Sequence, residues 1–420
     1  MEVRRGYKQT EVGLIPEIWE CSNFTEVTDV ITCGIAATPK YVTESQGYAF
    51  LSSTNIKDGR ILWNNYKWID KNLHKQLYRN NPPRRGDILY SRVGTIGEAA
   101  VIDVDFEFSI YVSLTLIKPK RGLDSSFLKH LLNSIPYKKR AKEQVYLGGG
   151  VGNLNVDVVR LYPILVPPLP EQEAIAGALG DADALIESLE QLLAKKRQLK
   201  QGAMQELLTG ESRLPGFSGE WEVKRLGDVG DITSAGVDKK SRPGEVPVRL
   251  VNYLDVYRKD FLYSDDLNHW VTAPPHQARR CAVQKGDVFF TPSSETRDDI
   301  GISAVAMEDI SDAAFSYHVV RLRLKEQWDL CFRTYAFKTR AFLSQAETLC
   351  DGNGTRYVIS QGKFRSMTVQ VPPVLEQTAI AAILSDMDAE IAALETKLTK
   401  ARQLKQGMMQ ELLTGRIRLI

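Results

Sequence analysis

The chain is short of the residues from which metal sites, disulfide frameworks and nucleophilic catalysis are built. Its five cysteines, Cys21, Cys33, Cys281, Cys331 and Cys350, are scattered, with no CxxC pair and no histidine at ligand spacing. That argues against a zinc ribbon or a disulfide scaffold, and reads as buried thiols of a reduced, cytoplasmic protein. The five histidines, His74, His130, His269, His276 and His318, form no constellation with Ser, Cys or Asp, so each reads as a structural or surface residue. No apolar run approaches the ~18 residues of a membrane span. The opening MEVRRGYKQTEVG lacks the hydrophobic region of a signal peptide. A soluble cytoplasmic protein with no membrane partner is expected.

An excess of charge of one sign is lacking too. Lys and Arg number 54 against 52 Asp and Glu, a net +2, so any contact with nucleic acid must use local patches and not a general positive field. The catalytic motifs are also missing: there is no GxxxxGKS/T phosphate loop, no HExxH and no GxSxG elbow. Asn81-Pro82-Pro83-Arg84 looks superficially like the Asn/Asp-Pro-Pro-aromatic motif of amino-methyltransferases. Arg84 offers no ring to stack on a flipped base, so this stretch reads as a turn before a strand. The glycine run from Leu147 to Asn153 follows a helix, the reverse of a dinucleotide fingerprint, and reads as a flexible loop.

What the chain does have is a repeat. Residues 167–210 and 372–415 are copies displaced by 205 positions without a gap, with 29 identities in 44 positions. Each follows a much less similar block of about 150 residues, so the protein is two pseudo-equivalent halves. In the first copy Ile175, Leu179, Ala182, Ile186, Leu189 and Leu193 step alternately by four and three; in the second Ile380, Leu384, Met387, Ile391, Leu394, Leu398 and Ala401 do the same. That is a coiled-coil seam on a long helix. Pro168 and Pro373 close an extended entry, Glu171 and Glu376 put acid at the positive helix end, and Gly210 and Gly415 stop each run.

The first half of each helix is acidic (Asp181, Asp183, Glu187, Glu190; Asp386, Asp388, Glu390, Glu395) and the second basic (Lys195, Lys196, Arg197, Lys200; Lys397, Lys400, Arg402, Lys405). Parallel packing would set like charges together, whereas antiparallel packing sets acid against base. An antiparallel pair is therefore expected, with a pseudo-two-fold axis between the halves and the two blocks at opposite ends.

The blocks themselves read as α+β. YAFLSSTNI, GRILWNNYKWI, GDILYSRVGTIGEAAVI and FSIYVSLTLIKP read as strands, with a helix around 125 to 144. The second block repeats the order, with a helix near 329 to 347; Gly86 to Ile88 matches Gly286 to Val288, and Ile110 to Val112 matches Tyr317 to Val319. The expected divisions are residues 1–155, a first α+β block; 156–212, a first long helix; 213–360, a second α+β block; and 361–420, a second long helix.

The two PPL.EQ.AIA…LKQG.MQELLTG helices, the TEVGLIP..W opening (Thr10 to Trp19) and the RLPGF..EW reopening (Arg213 to Trp221) resemble the specificity subunit of a type I restriction-modification enzyme over essentially the whole chain. The resemblance implies two α/β target recognition domains separated by two antiparallel coiled-coil helices. Each domain would read one half of a bipartite, asymmetric site in double-stranded DNA, and the helices would fix the gap. It also implies that the chain is not an enzyme. Two methyltransferase subunits would supply S-adenosylmethionine chemistry, and motor-nuclease subunits would supply ATP and Mg chemistry. Rival readings are a diverged methyltransferase or nuclease, and an adaptor whose heads bind protein.

Base reading needs donors and acceptors of fixed geometry on exposed loops, and phosphates need Arg, Lys, Ser, Thr or backbone amides. Three loops per head fit. The candidates are Ser52, Thr54, Asn55, Lys57, Ser91, Arg92, Thr95 and Asn153 in the first head. In the second they are Asn252, Tyr253, Ser293, Ser294, Thr296, Arg297, Arg356 and Tyr357. Arg92 or Arg297 pairing instead with Glu98 or Asp298 is the bland alternative. Tyr137 to Arg140 forms a basic helical turn suited either to phosphates or to solvent.

Overall fold

Each Pro-Pro entry leads into one uninterrupted helix. Leu169–Leu207 and Val374–Leu412 both run 39 residues, about 58 Å at ~1.5 Å per residue. The glycine that follows each takes a left-handed φ, +74° at Gly210 and +69° at Gly415, the conformation that ends helices at least cost. The computed structural model describes residues 5–36, 38–148, 151–354 and 356–419. It divides into two units, Met1–Glu190 with Thr396–Ile420, and Gln191–Glu395.

Within each unit, the acidic half of one long helix lies along the basic half of the other, as the charge pattern expects. In the first unit Lys405 pairs with Asp183 at 2.5 Å and Arg402 with Glu190 at 2.7 Å. In the second, Lys196 meets Glu390 at 2.5 Å, Arg197 meets Glu395 at 2.6 Å, and Lys200 meets Asp388. From Lys196–Glu390 to Lys200–Asp388, and from Arg402–Glu190 to Lys405–Asp183, one number rises as its partner's falls, so the helices are antiparallel. The apolar seam is buried or half-buried along its length, with Ile175, Leu179 and Leu384 at 0–1% exposure. Partly exposed ion pairs contribute little stability each; the seam holds the helices together and the charges choose their direction.

In the first unit, four antiparallel strands lie in the order Ala99–Val101, Ile88–Ser91, Leu114–Pro119, Thr28–Cys33. They cover a core of Trp19, Phe24, Tyr90, Phe127 and Leu128 that takes in the helix residues Ile175 and Leu179. A second sheet, Phe108–Ile110, Gly47–Leu51 and Lys67–Asp70, combines a parallel and an antiparallel pairing. In the second unit the same architecture returns as a five-stranded sheet running from Gly230–Thr233 to Phe261–Leu262 and a four-stranded sheet running from Trp270–Ala273 to Ala282–Val283. The α+β reading and the pseudo-repeat both hold.

Matching turns show how close the two heads are in backbone. Gly86 and Gly286 have φ of +89° and +84°, and their N–H groups donate to Ile102 O at 2.9 Å and Ala306 O at 2.7 Å. The residue after each glycine is a buried aspartate met by a cation: Asp87 by Lys118, Asp287 by Arg323 through two bonds of 2.7 Å. The second equivalence expected from sequence needs correction. Ile110 pairs with Leu51 and Phe315 with Val251 in the corresponding parallel ladders, so Ile110 to Val112 matches Phe315 to Tyr317, two residues earlier than expected. A shift of two keeps every side chain on its own face, so strand periodicity cannot detect it.

Two helices expected as single are divided. Residues 125 to 144 form Ser125–Leu132 and Ile135–Glu143, with Pro136 in the first turn of the second, where its missing N–H costs nothing. Residues 329 to 347 form Phe332–Ala336 and Arg340–Leu349, the latter capped by Thr339, whose hydroxyl accepts from Phe342 N–H at 3.2 Å. The glycine run expected as a loop is instead largely strand, Tyr146–Gly148 pairing with Val151–Asn153.

The foot of each long helix holds its head through a buried glutamate. Trp19 donates its indole N–H to Glu171 at 2.8 Å, and Trp221 donates to Glu376 at 3.1 Å. Arg418 adds two bonds to Glu171, and Arg213 adds two to Glu376, at 2.5 and 2.6 Å. Both carboxylates are 0% exposed. The neighbouring Gln172 and Gln377 accept from Asp124 N–H at 2.8 Å and Asp329 N–H at 2.9 Å. Each glutamate thus does more than complement the helix dipole, since it joins head, helix and the segment beyond the opposite helix stop into one charged node.

Candidate nucleic-acid interface

In the first head, three of the expected loops come together. The turn Ser53–Asn55 is reached by Thr95, whose hydroxyl donates to Ser53 O at 3.4 Å, and Ser52 and Thr54 share a hydroxyl hydrogen bond of 2.8 Å. Val93 bridges to Asn153, and Leu154 N–H donates to Arg92 O at 2.9 Å. Thr54, Thr95 and Asn153 are exposed on the resulting surface. Gly149 and Gly150 lie outside the described residues.

Four of the first head's candidates do not join that surface. Arg92 is buried, with Nε donating to Leu154 O at 2.8 Å and Nη1 to Val112 O at 3.4 Å. It braces two loops from inside, out of solvent, and does not pair with Glu98, which takes Lys138 instead. Ser91 is fully buried, accepting from Glu98 N–H at 2.9 Å and donating to Thr95 O. Asn55, 3% exposed, accepts from Ser52 N–H at 3.0 Å and donates to Leu62 O at 3.3 Å. The cause is common to all three: loops this tight leave backbone groups that only a buried polar side chain can satisfy. Lys57 is exposed but faces elsewhere, toward a cavity lined also by Lys129, His130, Asp183 and Lys405. The basic turn at 137–140 is largely spent on the protein, with Tyr137 buried and Lys138 on Glu98.

The second head assembles its three loops more fully. Ser293–Ser294 forms a short strand against Arg356–Val358, which pairs in turn with Asp351–Asn353. Tyr253 stacks on Tyr257 with ring centroids 5.8 Å apart, and burial raises its hydroxyl's pKa. Asn252 caps the helix Tyr253–Arg258, its N–H donating to Asp255 at 2.8 Å. Arg297 lies over the Tyr357 ring at 5.1 Å, a cation–π contact that holds an exposed guanidinium ready. Thr296, Arg297 and Arg356 are exposed together. Thr355 lies outside the described residues. Beside this hairpin is a cleft of about 240 Å³ lined by Ser234, Ser293, Tyr317, His318 and Arg356. In the sequence Tyr317 served only to align the heads, and His318 read as a structural or surface residue; the signal was an aromatic-imidazole pair directly after a strand.

The two surfaces differ in chemistry while sharing backbone. The first offers hydroxyl and amide groups, the second two arginines and a tyrosine, so each suits a different run of base edges and phosphates.

Comparison with known proteins bears on this directly. A family model described as the type I restriction modification DNA specificity domain matches residues 16–197 and again 218–403. The MjaX putative specificity subunit of Methanocaldococcus jannaschii is 25% identical, covering 98% of this chain and 97% of the relative. The EcoKI specificity subunit of Escherichia coli K12 is 22% identical, covering 97% and 90%. An S subunit of a type I restriction-modification system from M. genitalium shares the fold with a TM-score of 0.57 at 13% identity, covering 98% of each chain. A chain from a structure of type I complex assembly and conformational transition gives 0.55 at 17% identity, covering 96% of this chain and 99% of that one.

Proposed function

The chain belongs to the type I restriction modification DNA specificity family, and from that premise we propose that each of its heads reads one half of a bipartite site in duplex DNA. The observation that carries this is the repeat. One backbone is used twice, held to its long helix by the same Trp-Glu-Arg node, while the loops at 52–54, 93–95 and 153 and at 253, 293–297 and 356–357 present different side chains. Two readers of one build and unlike chemistry suit a site whose halves differ.

On this reading the long helices set the gap between the half-sites and dock two methyltransferase subunits. S-adenosylmethionine, ATP and Mg belong to those and to the motor-nuclease subunits. The chain's own work is positioning and selection: exposed Arg297 and Arg356 meet phosphates or guanine edges, and Thr54, Thr95, Asn153 and Thr296 supply shorter hydrogen bonds. Mapping methylated adenines in a genome with and without this gene tests the reading. A bipartite motif that vanishes with the gene is expected; an unchanged map would mean the heads serve as an adaptor.

A further inference from the structure

The second head holds an aromatic pair on a turn with little freedom to move. Strand Ile310–Phe315 ends where Ser316 N–H donates to Val251 O at 3.0 Å and Tyr317 N–H to Val237 O at 3.1 Å; His318 N–H then donates to Ser316 Oγ at 3.2 Å. Tyr317 is 48% exposed, yet its ring sits against the His318 imidazole with centroids 3.9 Å apart. Both line the cleft that Ser293 and Arg356 share, so the pair continues the surface formed by the reading loops. Burial, and then the nearby charges of Lys239 and Arg356, hold His318 below the usual histidine pKa against the opposing pull of Asp238. The ring is therefore neutral at pH 7, with one donor and one acceptor nitrogen. Lys239, Lys240 and Arg242 are exposed on the adjoining segment, which Gln277 anchors by donating to Gly236 O at 2.9 Å.

We propose that Tyr317 and His318 are specificity-determining residues that read base edges in the half-site of the second head, with Lys239 on a neighbouring phosphate. A tyrosine hydroxyl and a neutral imidazole each present a donor and an acceptor, and a close, tilted ring pair on a braced turn loses little entropy on binding. The first head supplies the contrast. There the same turn, with Tyr111 N–H on Leu51 O at 2.8 Å and Val112 N–H on Ile35 O at 2.9 Å, carries Val112 and Ser113. Ser113 is buried, its hydroxyl accepting from Ser53 N–H at 2.9 Å. One scaffold position thus carries different chemistry in the two heads, as unlike half-sites require.

The inference rests on the DNA-reading function above, and its test separates the two. The full chain, assembled with its methyltransferase subunits, selects from a pool of random-sequence duplex DNA. Wild type is expected to enrich two blocks of defined bases. Tyr317→Phe, Tyr317→Ala and His318→Ala are each expected to lose about tenfold preference at one or two positions within one block, the other block and the gap unchanged. Lys239→Ala is expected to weaken binding to all sequences alike and to lower the salt dependence by about one ion. Unchanged base preference in both alanine variants, or equal changes in both blocks, overturns the assignment. A wild-type chain that enriches no block overturns the DNA reading beneath it.

Discussion

Arg418 closes on Glu171: the guanidinium of the chain's last segment bonds both oxygens of a fully buried carboxylate in the first turn of the first long helix. The same relation recurs 205 positions away with Arg213 and Glu376 exchanged in order along the chain. A buried carboxylate left without its cation costs more than the pair contributes, because desolvation is no longer offset. Arg418→Ala is therefore expected to destabilise the first unit by about 2 kcal/mol. Adding Glu171→Gln, which removes the stranded charge, should recover part of that loss. Urea unfolding of wild type, both single variants and the double variant checks it, and additive losses would contradict the account.

The direction of the helix pair rests on charge, and a reciprocal exchange tests it. Lys200 and Asp388 pair with side chains 15% and 27% exposed. Asp388→Lys sets two ammonium groups together and also removes the acceptor of the Tyr335 hydroxyl at 2.8 Å. A loss of about 1–2 kcal/mol is expected. Lys200→Asp in the same chain should restore the ion pair and regain at least about 0.5 kcal/mol. Thermal melting of both variants reads the outcome; no recovery in the double exchange would mean the charges are bystanders.

Two arginines that look alike in sequence should behave in opposite ways. Arg92→Ala removes the donor to the buried carbonyl of Leu154 and the half-buried one of Val112, an expected cost of about 2 kcal/mol in stability. Arg297→Ala removes an exposed guanidinium resting on Tyr357 and should shift stability by no more than about 0.5 kcal/mol. Its effect belongs in DNA binding, where a loss of about 1–3 kcal/mol, or a salt slope reduced by about one, is expected. Paired unfolding and binding titrations distinguish the two; equal stability losses would erase the difference.

Those arginines also mark where sequence stops being informative. The long helices, their seam, direction and stops were legible because 3.5-residue periodicity and segregated charge are properties of the chain itself. The repeat of the heads was legible at Gly86 and Gly286, where a left-handed φ demands glycine. The fate of Arg92, Ser91 and Asn55 was not, since whether a loop arginine faces solvent or a backbone carbonyl depends on loops distant in sequence. The Glu171–Arg418 node was partly legible: displacing Glu171 and Arg213 by 205 positions lands on Glu376 and Arg418, although nothing in the sequence says these side chains meet.

The last expectation concerns acid. His130 is 1% exposed, and its ring lies 3.9 Å from Asp183 in the first unit. Burial, reinforced by Lys129 and Lys405 and opposed by Asp183, takes its pKa down to about 3, against ~6.5 in an unfolded chain. Between those values the unfolded state binds the extra proton, so stability is fully present above ~6.5 and is lost as pH falls toward ~3. One such proton contributes a slope of up to ~1.4 kcal/mol per pH unit. Asp183 acts lower: burial raises its pKa, but Lys405 and Lys129 outweigh that and hold it below the usual carboxylate range, so its loss begins only near pH 4. At the matching place the second unit has Tyr335, which bonds Asp388 and takes up no proton in this window. Acid should therefore weaken the first unit more than the second, where His318 is also held below the usual histidine pKa but by less. His130→Gln should flatten the dependence between pH 6.5 and 4 in chemical unfolding of the full chain, while parallel curves for wild type and variant would show that the buried imidazole does not set it.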